Sequence, residues 1–199
     1  MNSKLATPQE RGDWVRDHFS AHFKRLAHEA EAISESALPL EKKASRVIEI
    51  VDALGGHVAK VAACRRGCSY CCNQSVIISE WEAERIGKAI GLEPATAQSA
   101  ETVDFQKIQG DYSGVPCVFL KAGECSIYEN RPLACRKLYS LEDTPELCDM
   151  KKYPGGRVGY FNFSWLEMTY AVMFFDEGQN FADIREFFPI QNEDSNGRT

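Results

Sequence analysis

The chain has 199 residues, a net charge of −6 and eight cysteines. Its hydrophobic fraction of 44% and charged fraction of 26% are those of an ordinary globular protein, and the lack of a basic stripe argues against nucleic acid as the main partner. No apolar run is long enough for a membrane span or placed for a secretory signal, so we expect a cytoplasmic protein. In that reducing compartment the cysteines are expected to be metal ligands or catalytic thiols rather than disulfides.

The N-terminal residues predict two long helices. Apolar residues recur at helical spacing over residues 8–32 and again over residues 40–63. Gly55 and Gly56 are expected to kink or interrupt the second helix.

A strand and two further helices are predicted next. The strand covers residues 76–78, and Ser79 with Glu82 resembles a capping box that opens a helix closed by Gly91. Another helix is predicted over residues 95–108.

The middle of the chain is richer in Gly, Pro and Cys. The short pieces 117–120 and 125–128 flank Gly123 and predict a hairpin. Asn130 is expected to cap a brief helix with Pro132 in its first turn.

The last third begins with a predicted loop over residues 141–153. Ser164 with Glu167 suggests the start of a helix that continues to residue 175, and a last short helix is predicted over residues 183–188. The many phenylalanines of this region are expected to be core.

These elements predict a mainly α fold with a small irregular or β cysteine-rich segment, forming a single compact domain over residues 1–199. We expect four parts in chain order: a helical arm (1–60), a cysteine-cluster metal-binding core (61–150), a C-terminal aromatic helical segment (151–190) and a flexible tail (191–199).

The cysteines form two groups. The first has four cysteines within nine residues, and the second is more open: Cys64, Cys68, Cys71 and Cys72, then Cys117, Cys125, Cys135 and Cys148. Metal binding needs several thiolates that converge. Short spacing supplies this through one local bend, whereas the second group needs folded backbone. All eight are therefore candidate metal ligands, although Cys148 alone would read as a small buried hydrophobe.

The backbone conformation of the first group determines the directions in which its thiols point. If the second helix continued here, Cys64, Cys68 and Cys71 would share one face and Cys72 would point aside. In a loop, the adjacent Cys71 and Cys72 would also tend to point apart. Either way, one of that pair is expected to serve a different site or role.

Basic and imidazole side chains near the cysteines are further candidates. Arg131 and Arg136 are predicted to contact the cofactor and offset the negative charge of the thiolates. His18 and His22 complete no metal constellation and are expected to be solvated or beside the core. His57 could reach the cysteines as a ligand or a hydrogen-bond donor.

The cysteine spacing resembles a known family. The pattern is Cys64-x3-Cys68-x2-Cys71-Cys72, then Pro116-Cys117-x2-Leu120, then Cys125-x-Ile127-Tyr128-x2-Arg131-Pro132-x2-Cys135-Arg136. It is similar to the YkgJ-like cysteine-cluster family, a zinc- or iron-chelating domain, and the resemblance covers residues 64–136. It implies metal chelation through these cysteines. Flagellin lysine methylases carry a similar cluster and are iron–sulfur proteins, which favours a [4Fe–4S] cluster over zinc.

Three functions remain open at this point. The first is a protein that holds an iron–sulfur cluster, and the second is a zinc-chelating structural domain. The third is an enzyme. Cys64-x3-Cys68-x2-Cys71 with Tyr70 also resembles the radical S-adenosylmethionine motif, but no βα repeat follows. A cluster-dependent methyltransferase-like enzyme lacks a visible Gly-rich nucleotide loop. The pattern names no protein partner.

Overall fold

The computed structural model describes residues 5–97, 105–149, 151–153 and 157–189. The predicted tail, residues 191–199, lies outside the described residues. The first two elements are long helices that pack against each other, α1 (Pro8–Glu35) and α2 (Leu40–Val58). Helix α1 begins with a capping box in which Thr7 and Glu10 exchange hydrogen bonds between side chain and backbone.

The glycine pair in α2 does not interrupt the helix, so the predicted interruption is wrong. Gly55 instead allows close approach, because a Cβ added there would lie 2.0 Å from the hydroxyl oxygen of Tyr139. Helix α2 ends at Val58, and its predicted continuation to residue 63 is also wrong. The chain turns there because the Ala63 N–H donates to the Ser140 carbonyl oxygen at 2.9 Å.

The next elements agree closely with the sequence. Strand β1 (Ile77–Ser79) leads into α3 (Glu80–Ile90). The Ser79–Glu82 capping box is confirmed, and Gly91 ends the helix in the left-handed region at φ 71°.

The helix predicted over residues 95–108 is only partly correct. Residues 95–97 are not helical, since the Ala95 N–H donates to the Phe187 carbonyl oxygen at 2.7 Å. Residues 98–104 of the predicted helix lie outside the described residues. Helix α4 covers Phe105–Tyr112.

The predicted hairpin is confirmed as β2 (Leu120–Lys121) and β3 (Glu124–Cys125), joined through Ala122 and Gly123 with positive φ at both. A 3-10 helix (Tyr128–Asn130) and helix α5 (Leu133–Arg136) follow. Asn130 does not cap α5. It ends the 3-10 helix, and Pro132 takes the N-cap position.

The segments after α5 form a further pair of strands and a helix. Strand β4 (Tyr139–Ser140) pairs antiparallel with β5 (Tyr160–Phe161), and a 3-10 helix (Pro145–Cys148) lies between them in the predicted loop. Helix α6 (Ser164–Asp176) confirms the helix predicted from Ser164 to residue 175. It has no side-chain cap, and Glu167 pairs with Lys137.

The chain then returns to β1. Strand β6 (Phe181–Asp183) pairs antiparallel with β1, and Asp183 caps the last helix, α7 (Ile184–Phe187). This capping box confirms the short helix predicted at the end of the chain.

Two hydrophobic clusters form the core. The first joins α1, α2 and α6, with Val15, Val51 and Phe174 fully buried. The second joins β1, α3, β6 and α7 beside the cysteines, around Ile78 and Ile86. The mainly α, compact fold with a small β part is thus confirmed. In the described part of the chain, no helix combines the length and apolar character needed to cross a membrane.

Candidate metal centre

The first cysteine group lies in a turn followed by a 3-10 helix. The Cys68 N–H donates to the Arg65 carbonyl oxygen at 3.0 Å, and Gly67 has φ 86°. The 3-10 helix (Tyr70–Asn73) then carries Cys71 and Cys72. The helical alternative for this group is therefore wrong, and the loop alternative is correct.

The second group is brought to the first by backbone contacts. The Cys117 N–H donates to the Cys72 carbonyl oxygen at 2.7 Å. Cys125 lies on β3 and Cys135 in α5. Cys148 ends the 3-10 helix Pro145–Cys148, which packs against the 3-10 helix Tyr70–Asn73.

Six of the eight cysteines line one cavity of about 90 Å³. They come from both groups: Cys68, Cys71, Cys72, Cys117, Cys125 and Cys135. Most other lining residues are apolar, among them Val76, Phe119 and Ile127. One water molecule needs about 10–15 Å³ of such space, so the cavity has room for a group of several atoms.

Among the described residues, no three or more of the His, Cys, Asp and Glu side chains are arranged to hold one metal ion. The six thiols therefore surround the cavity without meeting at one point. All eight cysteines are free thiols, and Cys64 and Cys148 lie outside the cavity lining.

The pKa values of most thiols are raised. Burial is the main cause at six positions: Cys64, Cys68, Cys117, Cys125, Cys135 and Cys148. It raises the pKa of Cys64 to about 11. At Cys71 the hydrogen bond with the Cys72 side chain raises the pKa most. The seven thiols whose pKa values are raised are therefore protonated at neutral pH in the absence of metal, and metal binding to them must displace protons.

Arg131 lies at the cavity wall. Its guanidinium stands 3.7 Å from the centre of the Tyr128 ring, and its Nε donates to the Tyr128 carbonyl oxygen at 2.9 Å. Burial raises the pKa of Cys125 and Cys135, and the charge of Arg131 partly opposes that rise.

Arg136 is buried and does not line the cavity. Its Nη1 donates to both carboxylate oxygens of Asp52 at 2.9 and 2.7 Å, and its Nε donates to the Arg131 carbonyl oxygen at 2.7 Å. It therefore fixes the backbone that carries Arg131. Direct contact of Arg136 with a cofactor stays a prediction.

Sequence reasoning missed Arg185, which joins the two cysteine groups. Its Nη2 donates to the carbonyl oxygens of Gln74 at 3.1 Å and Val115 at 2.6 Å, and its Nε donates to that of Pro116 at 3.2 Å. Its Nη1 donates to the fully buried Asp183 at 2.7 Å. No local pattern signals this role, because the partners are backbone atoms about 70 to 110 positions away.

The histidines form a pair away from the cavity lining. His22 Nδ1 and His57 Nε2 are 2.7 Å apart, and the His57 ring stacks on Phe19 with 4.0 Å between ring centres. Burial lowers the pKa of His57, with smaller contributions from His22 and Lys60. The suggested contact of His57 with the cysteines is not seen among its contacts.

Fold and cavity together define a mainly helical protein with a cysteine-lined cavity. Residues 63–152, a little under half of the chain, match the family CxxCxxCC, described as "Putative zinc- or iron-chelating domain". The match supports metal binding through these cysteines and agrees with the resemblance to the YkgJ-like cysteine-cluster family. No curated protein and no solved structure gives a significant match.

Proposed function

We propose that this protein holds a [4Fe–4S] cluster in the cysteine cavity. Four of its eight cysteines ligate the cluster, and the six that line the cavity are the first candidates. The observation that carries the proposal is a cavity of about 90 Å³ walled by six thiols from two separate segments. Cysteine thiolates are the usual ligands of such clusters.

The size of the cavity favours a cluster over a single zinc ion. Zinc needs four ligands about 2.3 Å from one point, whereas these thiols surround a space that would take several atoms. A cluster of four irons and four sulfides occupies such a space and needs its thiolates farther apart.

The charge at the cavity wall also suits an iron–sulfur cluster. Four thiolates on a cubane leave net negative charge, and apolar walls make that charge costly unless a cation or N–H groups lie near. Arg131 supplies a positive charge at the wall beside Cys125 and Cys135. Keeping eight cysteines reduced also favours a cytoplasmic location.

Iron and acid-labile sulfide analysis with an absorption spectrum, on protein purified without oxygen, tests this proposal. We expect about four irons and four sulfides per cluster, with broad absorbance near ~400 nm. Stoichiometric zinc without sulfide would show that the protein is a zinc-chelating structural domain instead. Protein without either metal would refute both the iron–sulfur and the zinc function.

A further inference from the structure

The segment that joins β3 to α5 is held through three consecutive carbonyl oxygens. Arg136 donates from Nε to the Arg131 carbonyl oxygen at 2.7 Å and from Nη2 to that of Glu129. Arg85 on α3 donates from Nη2 to the carbonyl oxygens of Asn130 and Arg131, both at 3.1 Å. Two guanidinium groups from different helices therefore fix this short stretch of backbone.

The charge of Arg136 is balanced by a residue on a third helix. Its Nη1 donates to both carboxylate oxygens of Asp52 on α2, at 2.9 and 2.7 Å. Arg136 is only 8% exposed, and a cation buried to this extent needs such a partner because an unpaired buried charge is costly. The rigid fork of arginine allows one side chain to bind a carboxylate and two carbonyl oxygens together.

The side chain of Arg131 extends from this fixed backbone to the wall of the cysteine cavity. Its Nε donates to the Tyr128 carbonyl oxygen at 2.9 Å, and its guanidinium lies 3.7 Å from the centre of the Tyr128 ring. The Tyr128 side chain lines the cavity as well. The backbone and the side chain of Arg131 are thus both held, which keeps its charge beside the cavity.

Arg131 is the one positively charged residue among the described residues that line the cavity. The neighbouring Arg136 is paired with Asp52 and lies outside the lining. A cation fixed in partly buried surroundings acts on a nearby charge more strongly than a cation in bulk water does. The position of Arg131 therefore determines how much positive potential reaches a group in the cavity.

We propose that Arg85 and Arg136 are positioning residues that hold Arg131 against the cavity, where its charge raises the reduction potential of the cluster. This inference rests on the proposed function. An iron–sulfur cluster becomes more negative by one charge when it takes up an electron, and its reduction potential depends on the charges around it. A fixed cation at the wall stabilises the reduced form more than the oxidised form.

Charge-removing and charge-conserving variants separate the cation from the residues that position it. Arg131→Gln removes the charge, whereas Arg136→Lys and Arg85→Lys keep a charge but cannot bind two carbonyl oxygens in the same geometry. The reduction potential is measured by anaerobic dye-mediated titration, and iron and sulfide are counted in each sample. Arg66→Gln is the matched control, because Arg66 lies 5.2 Å from the centre of the same Tyr128 ring but its side chain is 70% exposed.

We expect Arg131→Gln to lower the reduction potential while the iron and sulfide content stays that of the wild type. Arg136→Lys and Arg85→Lys should shift the potential in the same direction, although no charge is lost. Combined with Arg131→Gln, neither lysine variant should add a further shift, because both residues act through Arg131. Arg66→Gln should shift the potential much less, since solvent and salt screen an exposed charge.

Four results would overturn the inference and leave the cluster itself in place. They are an unchanged potential in Arg131→Gln, a shift in Arg66→Gln as large as that in Arg131→Gln, unchanged potentials in both lysine variants, and a lysine-variant shift that persists in full without Arg131. Loss of the cluster from both lysine variants would also overturn it, because these arginines would then hold the ligand-bearing segments rather than the Arg131 charge. Wild-type protein without iron and sulfide would refute the proposed function and this inference together.

Discussion

At the scale of single residues, Arg185 joins the backbone segments on the two sides of the cavity. It binds carbonyl oxygens on both sides of the cavity, at Gln74 next to the first cysteine group and at Pro116 next to the second. Its charge is balanced by the fully buried Asp183. Arginine can donate hydrogen bonds to several carbonyl oxygens at once because its five N–H groups form a rigid fork.

Arg185→Lys should weaken metal binding without unfolding the protein. Lysine keeps a positive charge for Asp183 but cannot reach the three carbonyls together. Loss of such a supporting contact lowers metal affinity by about 10–100-fold. Competition with a chelator measures this, and Arg25→Lys at an exposed ion pair on α1 is the control. Equal retention of metal in both variants would show that Arg185 does not position the cysteines.

Glu82 links α3 to the helix that carries Cys135. Its Oε1 accepts the Leu133 N–H at 2.7 Å at the start of α5, and its Oε2 accepts the Ser79 N–H at 3.4 Å. Glu82→Ala leaves the Leu133 N–H buried and unpaired, which should cost about 1–3 kcal/mol in the free energy of unfolding. Urea denaturation measures this, with the exposed Glu84→Ala on the same helix as control.

The pH dependence of stability should also report on Glu82. Burial raises the pKa of this carboxyl, so the folded state holds its proton at pH values where the unfolded state has lost it. The free energy of unfolding should therefore fall as pH rises from the unfolded pKa of about 4.3 to the raised folded pKa. Glu82→Gln should flatten this part of the pH profile, and an unchanged slope would contradict the assignment.

At the scale of elements, the contact between α2 and β4 can be tested with two neighbouring glycines. A Cβ on Gly55 would lie 2.0 Å from the Tyr139 hydroxyl oxygen, whereas nothing lies within 4 Å of one on Gly56. Gly55→Ala should destabilise the protein by about 1–3 kcal/mol through overpacking. Gly56→Ala should stabilise it by up to ~1 kcal/mol through helix propensity.

Thermal unfolding of the two variants measures the difference in their stability. The clash at Gly55 should also disturb metal binding. Tyr139 precedes Ser140, whose N–H donates to Cys64 Sγ. Gly55→Ala should thus also reduce the metal content of the protein, while Gly56→Ala should not. Equal stability of the two variants would mean that α2 does not approach β4 this closely.

Elements that depend on local signals could be predicted from the sequence. Helix α3 has its capping box and its terminal Gly91 where the residues indicate, and the hairpin turns at Ala122–Gly123. The errors have long-range causes. Helix α2 ends early because Ala63 bonds Ser140, and residues 95–97 are not helical because Ala95 bonds Phe187. Neither partner is near in sequence.

The same distinction applies to the candidate site. Short intervals between cysteines indicated converging metal ligands, and the resemblance to the YkgJ-like cysteine-cluster family agrees with the family match over residues 63–152. The spacing could not show which cysteines share the cavity, since that depends on long-range backbone contacts such as the hydrogen bond from the Cys117 N–H to the Cys72 carbonyl oxygen. Arg185 and Ser140 were missed because they act through backbone contacts of high sequence separation.

At the scale of the whole molecule, the two hydrophobic clusters should respond differently to metal loss. The first cluster is built from α1, α2 and α6, and the second packs directly on Cys117, Cys125 and Cys135. Metal binding contributes folding free energy to the segments that hold it. The second cluster should therefore lose stability on removal of the metal, while the first should not.

Hydrogen–deuterium exchange before and after chelation measures this difference. We expect exchange about 10-fold faster or more in α3, β2–β3 and α5, with α1 and α2 nearly unchanged. The Cys135→Ser variant should show the same regional pattern without a chelator. Uniformly faster exchange over the whole chain would show that the two hydrophobic clusters unfold as one unit.

Native mass spectrometry of the anaerobically purified chain shows directly whether the cysteine cavity holds an iron–sulfur cluster. We expect a mass excess that corresponds to whole [4Fe–4S] units, about four irons and four sulfides each, and its loss when the thiols are alkylated after chelation. A chain that carries only zinc, or no metal at all, would contradict the claim that the cysteine cavity holds an iron–sulfur cluster.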